Sequence, residues 1–241
     1  MTDTRAEPDL LTRRLLQCGL IAGPLFVGTF LVEGLIRDGY QPMRHPVSSL
    51  SLEQHGWFQV ANFAVTGGLY LASSIGLRRA GVADSRVGPF LVGAAAAGLL
   101  GAGAFRTDPV SGYPPGTPDV LPGYTTLGAL HDAFSAPTFL GLPVAALAYA
   151  RGFLRRANRG WAVYSAVSGL GMLVAFALAS VGFSQRQGLV EYAGALQRAS
   201  VMIGFTWLSA LTAKTLGTNG AAGQATSRPI TGLGQRDCEQ T

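Results

Sequence analysis

Long apolar runs separated by short polar segments dominate the pattern of hydrophobic and polar positions. Six runs are long enough to cross a bilayer as helices, which takes about 20 residues each. They cover residues 15–36, 57–77, 89–105, 126–150, 161–183 and 199–216. Because the bilayer core offers the backbone no hydrogen-bond partners, single spanning segments of this kind are helical. The pattern predicts an all-α, polytopic membrane helix bundle with six transmembrane helices.

Polar segments flank the predicted bundle at both ends. Residues 1–14 form a short flank, residues 15–216 the transmembrane domain, and residues 217–241 a tail expected to be disordered. Arg13 and Arg14 precede the first run, as they would in a twin-arginine export signal. The apolar run that follows is longer than the roughly 7–15 residues of a signal peptide. A positive flank before a first transmembrane helix is therefore the favoured interpretation.

Composition and charge agree with a membrane protein. Of 241 residues, 48% are hydrophobic and only 13% are charged, whereas a soluble domain has about 25% charged residues. Of the 18 Lys and Arg residues, 13 lie in the N-terminal flank, the second and fourth loops and the C-terminal flank. Because such residues favour the cytoplasmic side, both termini are expected in the cytoplasm. The single Lys among these 18 indicates an Arg-rich, bacterial coding bias, and hence a bacterial inner membrane.

The same features exclude several classes of protein. The net charge of +5 comes from short loops rather than from a basic domain, so no nucleic-acid partner is expected. The two cysteines cannot form a disulfide scaffold, and they make no Cys-x-x-Cys pair. A soluble enzyme is excluded by the length of the apolar runs.

Polar side chains concentrate at one end of the predicted helices. The predicted outer ends carry Glu33, Asn62, Arg106, His131, Asp132, Gln197 and Arg198. Ionisable residues inside a span are costly and mark functional sites. The inner halves of the spans are almost entirely apolar or small, which argues against a continuous ion path. The pattern predicts an outward-facing polar pocket.

Two outer loops add residues to this set. The first contains His45 and Ser48, and the third begins with Asp108. Five prolines restrict the backbone of the third loop, between residues 109 and 122. We expect these loops to form an ordered lid over the pocket.

Candidate chemistry follows from these residue types. The candidate catalytic residues are His131, Asp132, Asp108 and Glu33. The candidate binding residues are His45, Ser48, Asn62, Arg106, Gln197 and Arg198. We expect the arginines to pair with carboxylates or with an anionic headgroup. The three histidines lack helical ligand spacing, so no metal and no cofactor is predicted.

Three functions remain open. The favoured one is binding of a lipid-like or small amphiphilic ligand in the outward-facing pocket, with membrane lipid as the surrounding partner. The alternative is a membrane-embedded enzyme that uses acid–base chemistry on a lipid or isoprenoid substrate. The third is an accessory subunit or scaffold, whose protein partners the sequence does not identify.

Several short motifs resemble a known family. They are Gly39-Tyr40, His45-Pro46-Val47-Ser48-x-Leu50, Gly56-Trp57, Asn62-Phe63, Thr66-Gly67, Asp108-Pro109, Gly128-x-Leu-His131 and Gln197-Arg198. Over about residues 15–216 the chain resembles a bacterial six-helix membrane family catalogued as domain of unknown function 998. The resemblance implies the fold and agrees with the choice of polar residues, and it implies no activity.

Overall fold

The computed structural model describes residues 9–186 and 188–226, and all the regular secondary structure there is helical, apart from an isolated bridge between Val110 and Tyr113. Seven α-helices form the described part of the chain: α1 (Leu10–Ile36), α2 (Trp57–Arg79), α3 (Val87–Ala104), α4 (Thr126–Ala136), α5 (Leu142–Arg155), α6 (Arg159–Phe183) and α7 (Ala193–Thr226). Helix α4 and helix α5 are two halves of one segment, joined by a π-helical turn at Pro137–Gly141. The predicted all-α bundle is confirmed.

The helices are long and apolar enough for a multi-pass membrane protein. Five described segments meet the length and hydropathy of a membrane span: α1, α2, α3, α6 and the α4–α5 segment Thr126–Arg155. The sixth predicted run lies in α7, whose buried Ser209, Thr212 and Thr215 lower its hydropathy. Thr212 Oγ1 donates to the Leu208 carbonyl at 3.2 Å, so the hydroxyl is satisfied inside its own helix. Helix α7 therefore belongs to the bundle although it is more polar.

Helices α1 and α7 both extend beyond residues 15–216, the predicted bounds of the transmembrane domain. Helix α1 already begins at Leu10, where Asp9 caps it by accepting a hydrogen bond from the Thr12 amide at 2.8 Å. Helix α7 continues past Leu216 to Thr226. Most of the predicted flank and tail, residues 1–8 and 227–241, lies outside the described residues.

The spanning segments form a closed ring. Each packs against the next in the chain, and α7 closes the ring by packing against both α6 and α1. Small residues permit the close approach of these helices: a Cβ added to Gly19 of α1 would lie 2.1 Å from the Ser73 Oγ of α2, and one added to Gly23 would lie 2.8 Å from the Ser209 Oγ of α7. Small residues on the facing helices thus allow this close packing.

The π turn in the fourth span creates space inside the ring. Proline has no backbone N–H and disrupts the regular helix ladder, and Pro137 begins the π turn. On one side of the turn α5 packs against α6, whereas on the other side α4 stays against α3 and makes little contact with α6. A gap between α4 and α6 therefore opens toward one end of the bundle. We call this end, which carries loops 37–56, 105–125 and 184–192, the loop face.

Candidate functional site

The three loops of the loop face are joined to one another by Arg44. Its Nη1 donates to Glu191 Oε1 at 2.7 Å, its Nη2 to Asp119 Oδ1 at 2.9 Å, and its Nε to the Ser111 carbonyl at 3.2 Å. Gln185 adds a hydrogen bond from Nε2 to Ser111 Oγ at 2.9 Å. Because contacts from one arginine reach all three loops, loops 37–56, 105–125 and 184–192 form a single ordered unit, which we call the cap.

Arg198 fastens the first of these loops to α7. Its buried guanidinium donates to the carbonyls of Pro42, His45 (2.9 Å) and Gly194 (3.0 Å), and to the Tyr40 hydroxyl. Burial raises the pKa of Tyr40 to about 12, so this hydroxyl keeps its proton and donates it to the Pro46 carbonyl at 2.9 Å. The observed partners of Arg198 are therefore oxygens of the first loop and of its own helix, whereas the sequence suggested a carboxylate or an anionic headgroup.

His45 joins loop 37–56 to loop 105–125, which are the first and third loops of the chain. Its Nδ1 accepts a hydrogen bond from the Gln41 amide at 2.9 Å, and its Nε2 lies 3.2 Å from the Ser111 carbonyl. An acceptor at Nδ1 and a donor at Nε2 require the neutral ring. Burial accordingly lowers the pKa of His45 below its ordinary value. The geometry describes a structural clamp.

The lowered pKa of His45 predicts a loss of stability in acid. The unfolded chain binds a proton near pH 6.5 and the folded one only at lower pH, so the stabilisation is complete above about pH 6.5 and is lost as the pH falls below it. We expect the melting temperature in detergent to fall between pH 7 and pH 5, and His45→Gln to flatten this slope. An equal slope in both proteins would contradict the prediction.

A cavity of about 750 Å³ lies beneath this cap, and we call it the main cavity. Loop residues Pro46 to Ser48 and segments of the third loop form its roof, while side chains of the helices form its walls. The apolar walls are Phe26, Phe63, Leu99, Phe139, Phe176, Val201 and Phe205. Polar side chains on the lining are Ser48, Thr107, Asp108, His131, Asp132, Ser135, Thr138, Ser180, Ser184 and Gln197. The space is thus amphipathic.

His131 presents one nitrogen to protein and leaves the other uncommitted. Its Nδ1 lies 2.8 Å from the Ala102 carbonyl and 3.1 Å from the Phe105 carbonyl. Two carbonyl neighbours require a proton on Nδ1, so Nε2 of the neutral ring is an acceptor. Nε2 has no hydrogen-bond partner among the described residues. A fixed tautomer with a free acceptor nitrogen suits either ligand binding or proton abstraction.

The two aspartates of the main cavity differ in their bonding. Asp108 accepts hydrogen bonds from the Thr125 amide at 2.9 Å and the Thr125 hydroxyl at 2.6 Å. Thr125 is the N-cap of α4, so Asp108 orders the junction between the third loop and this helix. Asp132 is exposed, and its carboxylate makes no hydrogen bond to any described residue. Of the two, Asp132 is the one available to a ligand.

The remaining predicted residues divide into two groups. Ser48 and Gln197 line the main cavity, and Gln197 Oε1 also accepts a hydrogen bond from the Val47 amide at 2.8 Å. The others are not on its lining. Asn62 donates to the Phe26 carbonyl at 3.2 Å between α1 and α2, and Arg106 is exposed at the end of α3.

Glu33 lies in a different place from the other candidates. It lines a second cavity of about 970 Å³ beside α1, together with Val32, His55 and Phe58. Its buried carboxylate oxygens accept no hydrogen bond from a described residue, and Arg37 Nη2 lies 3.6 Å from Oε1. The structure therefore separates Glu33 from His131, Asp132 and Asp108.

Sequence reasoning missed the aromatic walls, because an apolar residue in a span carries no mark of facing a cavity. It also did not explain why the same Gly-Ala-Leu tripeptide occurs near the start of α4, at Gly128, and of α7, at Gly194. A Cβ at Gly128 would lie 2.2 Å from Asp108 Oδ2, and one at Gly194 would lie 2.5 Å from the His45 carbonyl oxygen. Each glycine thus lets an outer loop lie directly on the start of a helix.

Comparison with known proteins places the chain in a family. Among the described residues, no three His, Cys, Asp or Glu side chains are grouped to hold a metal ion. No curated protein matches the chain significantly. No solved structure matches it significantly either. A family model described as a protein of unknown function (DUF998) matches residues 20–214, so the chain belongs to this family.

Proposed function

We propose that this protein binds a lipid-like amphiphile in the main cavity, at the outer side of a bacterial inner membrane. The observation that carries the proposal is a cavity of about 750 Å³ with apolar walls and uncommitted polar groups. Ligand sites have volumes of roughly 300–1,000 Å³ and similar linings. The same volume is large enough for the headgroup region and part of a hydrocarbon chain.

The walls of the main cavity suit a hydrocarbon chain. Phe26, Phe63 and Phe205 come from α1, α2 and α7 and form one aromatic group, with centroid distances from Phe26 of 5.5 Å to Phe63 and 5.2 Å to Phe205. Burying apolar surface is favourable by roughly 25 cal/mol per Å². A chain lying against these rings would leave the polar end of the ligand near His131 and Asp132.

The gap between α4 and α6 supports entry from the lipid. Ser135 and Ala136 line the cavity from α4, and Ser180 and Ser184 line it from the α6 side. These side chains are small, and the two helices make little contact with each other. Phe139 and Phe176 stack with their centroids 4.3 Å apart. We propose that this pair closes the inner end of a lateral entrance.

The distribution of positive charge supports the orientation. Arg78, Arg79, Arg155 and Arg156 lie at the ends of α2 and α5 opposite the loop face. Because positively charged loops are retained in the cytoplasm, we propose that the loop face is exposed on the outer side. The main cavity then opens toward the outer leaflet.

Blocking the entrance should remove the ligand. Ser180→Trp adds an indole at the cavity wall, so we expect the amount of co-purified amphiphile, measured by native mass spectrometry in mild detergent, to fall about tenfold or more, the effect of roughly 1.4 kcal/mol. Leu178→Trp is the matched control, because Leu178 lies on the same helix, is 40% exposed and does not line the cavity. Equal ligand in both variants, or none in the wild type, would refute the proposal.

The second candidate is an acid–base enzyme, and the free Nε2 of His131 favours it. Backbone carbonyls fix the tautomer of this ring, as a general base requires, and Asp132 follows it on the same wall. The same mass spectrometry distinguishes the two functions. If the protein is an enzyme, His131→Ala should retain a bound mass different from that of the wild type, because the substrate is no longer converted. If it is a binding protein, the variant should show the same bound mass as the wild type, or a weaker signal at that mass.

A further inference from the structure

The charges on the wall of the main cavity define the chemistry of the headgroup. Asp108 and Asp132 both line the cavity, and no Arg or Lys is found among its described lining residues. This is the reverse of an anion site, where arginine and lysine supply the donors. We infer that the ligand has a hydrogen-bond-donating headgroup, hydroxyl or ammonium, without net negative charge; this inference rests on the proposed binding function.

The positive side chains nearest to the cap are already committed or lie elsewhere. Arg44 is bonded to Asp119 and Glu191, and Arg198 is bonded to loop oxygens. Arg106 and Arg186 are exposed and outside the lining. A phosphate in the cavity would therefore meet carboxylates without a compensating cation.

The uncommitted groups on the wall are mainly acceptors. Asp132 has two carboxylate oxygens without hydrogen bonds from described residues, and His131 offers Nε2. The hydroxyls of Ser48 and Ser135 can donate or accept. A hydroxyl or ammonium headgroup supplies the donors that these acceptors lack, whereas an ionised phosphate supplies mainly further acceptors.

One wall group can still bind an uncharged acceptor. Gln197 uses its Oε1 for the Val47 amide, which leaves its Nε2 as a donor on the cavity lining. An ester or ether oxygen next to the headgroup would satisfy this donor. Such an oxygen lies between the headgroup and the chains of a glycerolipid, so the two sets of groups match one molecule.

Chain-matched lipids test this assignment. The probes are dioleoylglycerol, with one hydroxyl, a dioleoyl lipid with a protonated tertiary ammonium, and dioleoyl phosphatidic acid. We expect phosphatidic acid to bind at least about tenfold more weakly than the other two, in titrations followed by native mass spectrometry, because unit charges at cavity distances repel appreciably. Asp132→Asn keeps an acceptor and removes a charge, so it should reduce this difference. Arg186→Gln is the control, because Arg186 is exposed and outside the lining, and it should leave the difference unchanged.

The outcomes separate this inference from the proposed function. Ser180→Trp is applied with every probe. In one outcome, phosphatidic acid binds as tightly as dioleoylglycerol and its binding is blocked by Ser180→Trp. That result would overturn the headgroup assignment and leave the binding function intact. A preference for uncharged or cationic lipids that Asp132→Asn does not change would also overturn it. If Ser180→Trp affects no probe, the binding function fails, and the headgroup assignment fails with it.

Discussion

Arg198→Ala is expected to lower the free energy of unfolding by about 3 to 4 kcal/mol, the range for breaking a buried hydrogen-bond network. Arg198 is 7% exposed, and its guanidinium donates to three carbonyls and the Tyr40 hydroxyl. Its removal leaves buried oxygens without donors and releases the first outer loop from α7. Thermal unfolding in detergent measures the loss, and faster hydrogen exchange at residues 40–46 would locate it.

Two further variants make this prediction specific. Arg198→Lys should recover less than half of the loss, because a single ammonium cannot reproduce the planar set of donors. Arg186→Ala is the control for charge, since Arg186 is exposed on the same face and should change stability by no more than about 0.5 kcal/mol. A loss for Arg198→Ala no larger than for Arg186→Ala would contradict the proposed role of the buried guanidinium.

Gly194→Ala is expected to destabilise the protein by roughly 1 to 3 kcal/mol, the usual range for overpacking. The added Cβ would lie 2.5 Å from the His45 carbonyl oxygen and 2.6 Å from that of Pro42. Both contacts are backbone atoms, so the loop itself must move away from α7. Thermal unfolding should show the loss, and hydrogen exchange should place it in the first outer loop.

Gly28→Ala is a control for which the opposite change in stability is expected. Gly28 lies inside α1, and an added Cβ would meet no atom beyond the backbone of its own helix within 4 Å. Alanine is the better helix former by about 1 kcal/mol, so this variant should be neutral or more stable. If Gly194→Ala behaved like Gly28→Ala, the close approach of the loop to α7 would not limit stability.

The helical segments were predictable because a membrane imposes strong local rules. A run of apolar residues in lipid must satisfy its own backbone, and helix formation does this within the segment. The predicted start at Trp57 and end at Phe183 agree with the observed bounds of α2 and α6. The π turn that begins at Pro137 also has a local cause, because proline has no backbone N–H to donate within the helix.

The partners of the polar residues were not predictable. Arg198 and Asp132 both looked like rim charges, yet one is buried among loop oxygens and the other makes no hydrogen bond to a described residue. Glu33 belonged to the same predicted set and lies at a second cavity. Position along a helix gives the depth of a residue, whereas the neighbour it meets depends on helix rotation and packing.

The sequence by itself determined the helical class, the segments and the polar character of one end, because hydropathy and proline act locally along the chain. Tertiary structure alone decided that His131 and Asp132 share a cavity with aromatic residues from α1, α2 and α7. It also decided that His45 and Arg198 hold the cap instead of lining that cavity. The physical reason is that ring closure and the divergence of α4 from α6 depend on contacts between distant residues, which no local pattern records.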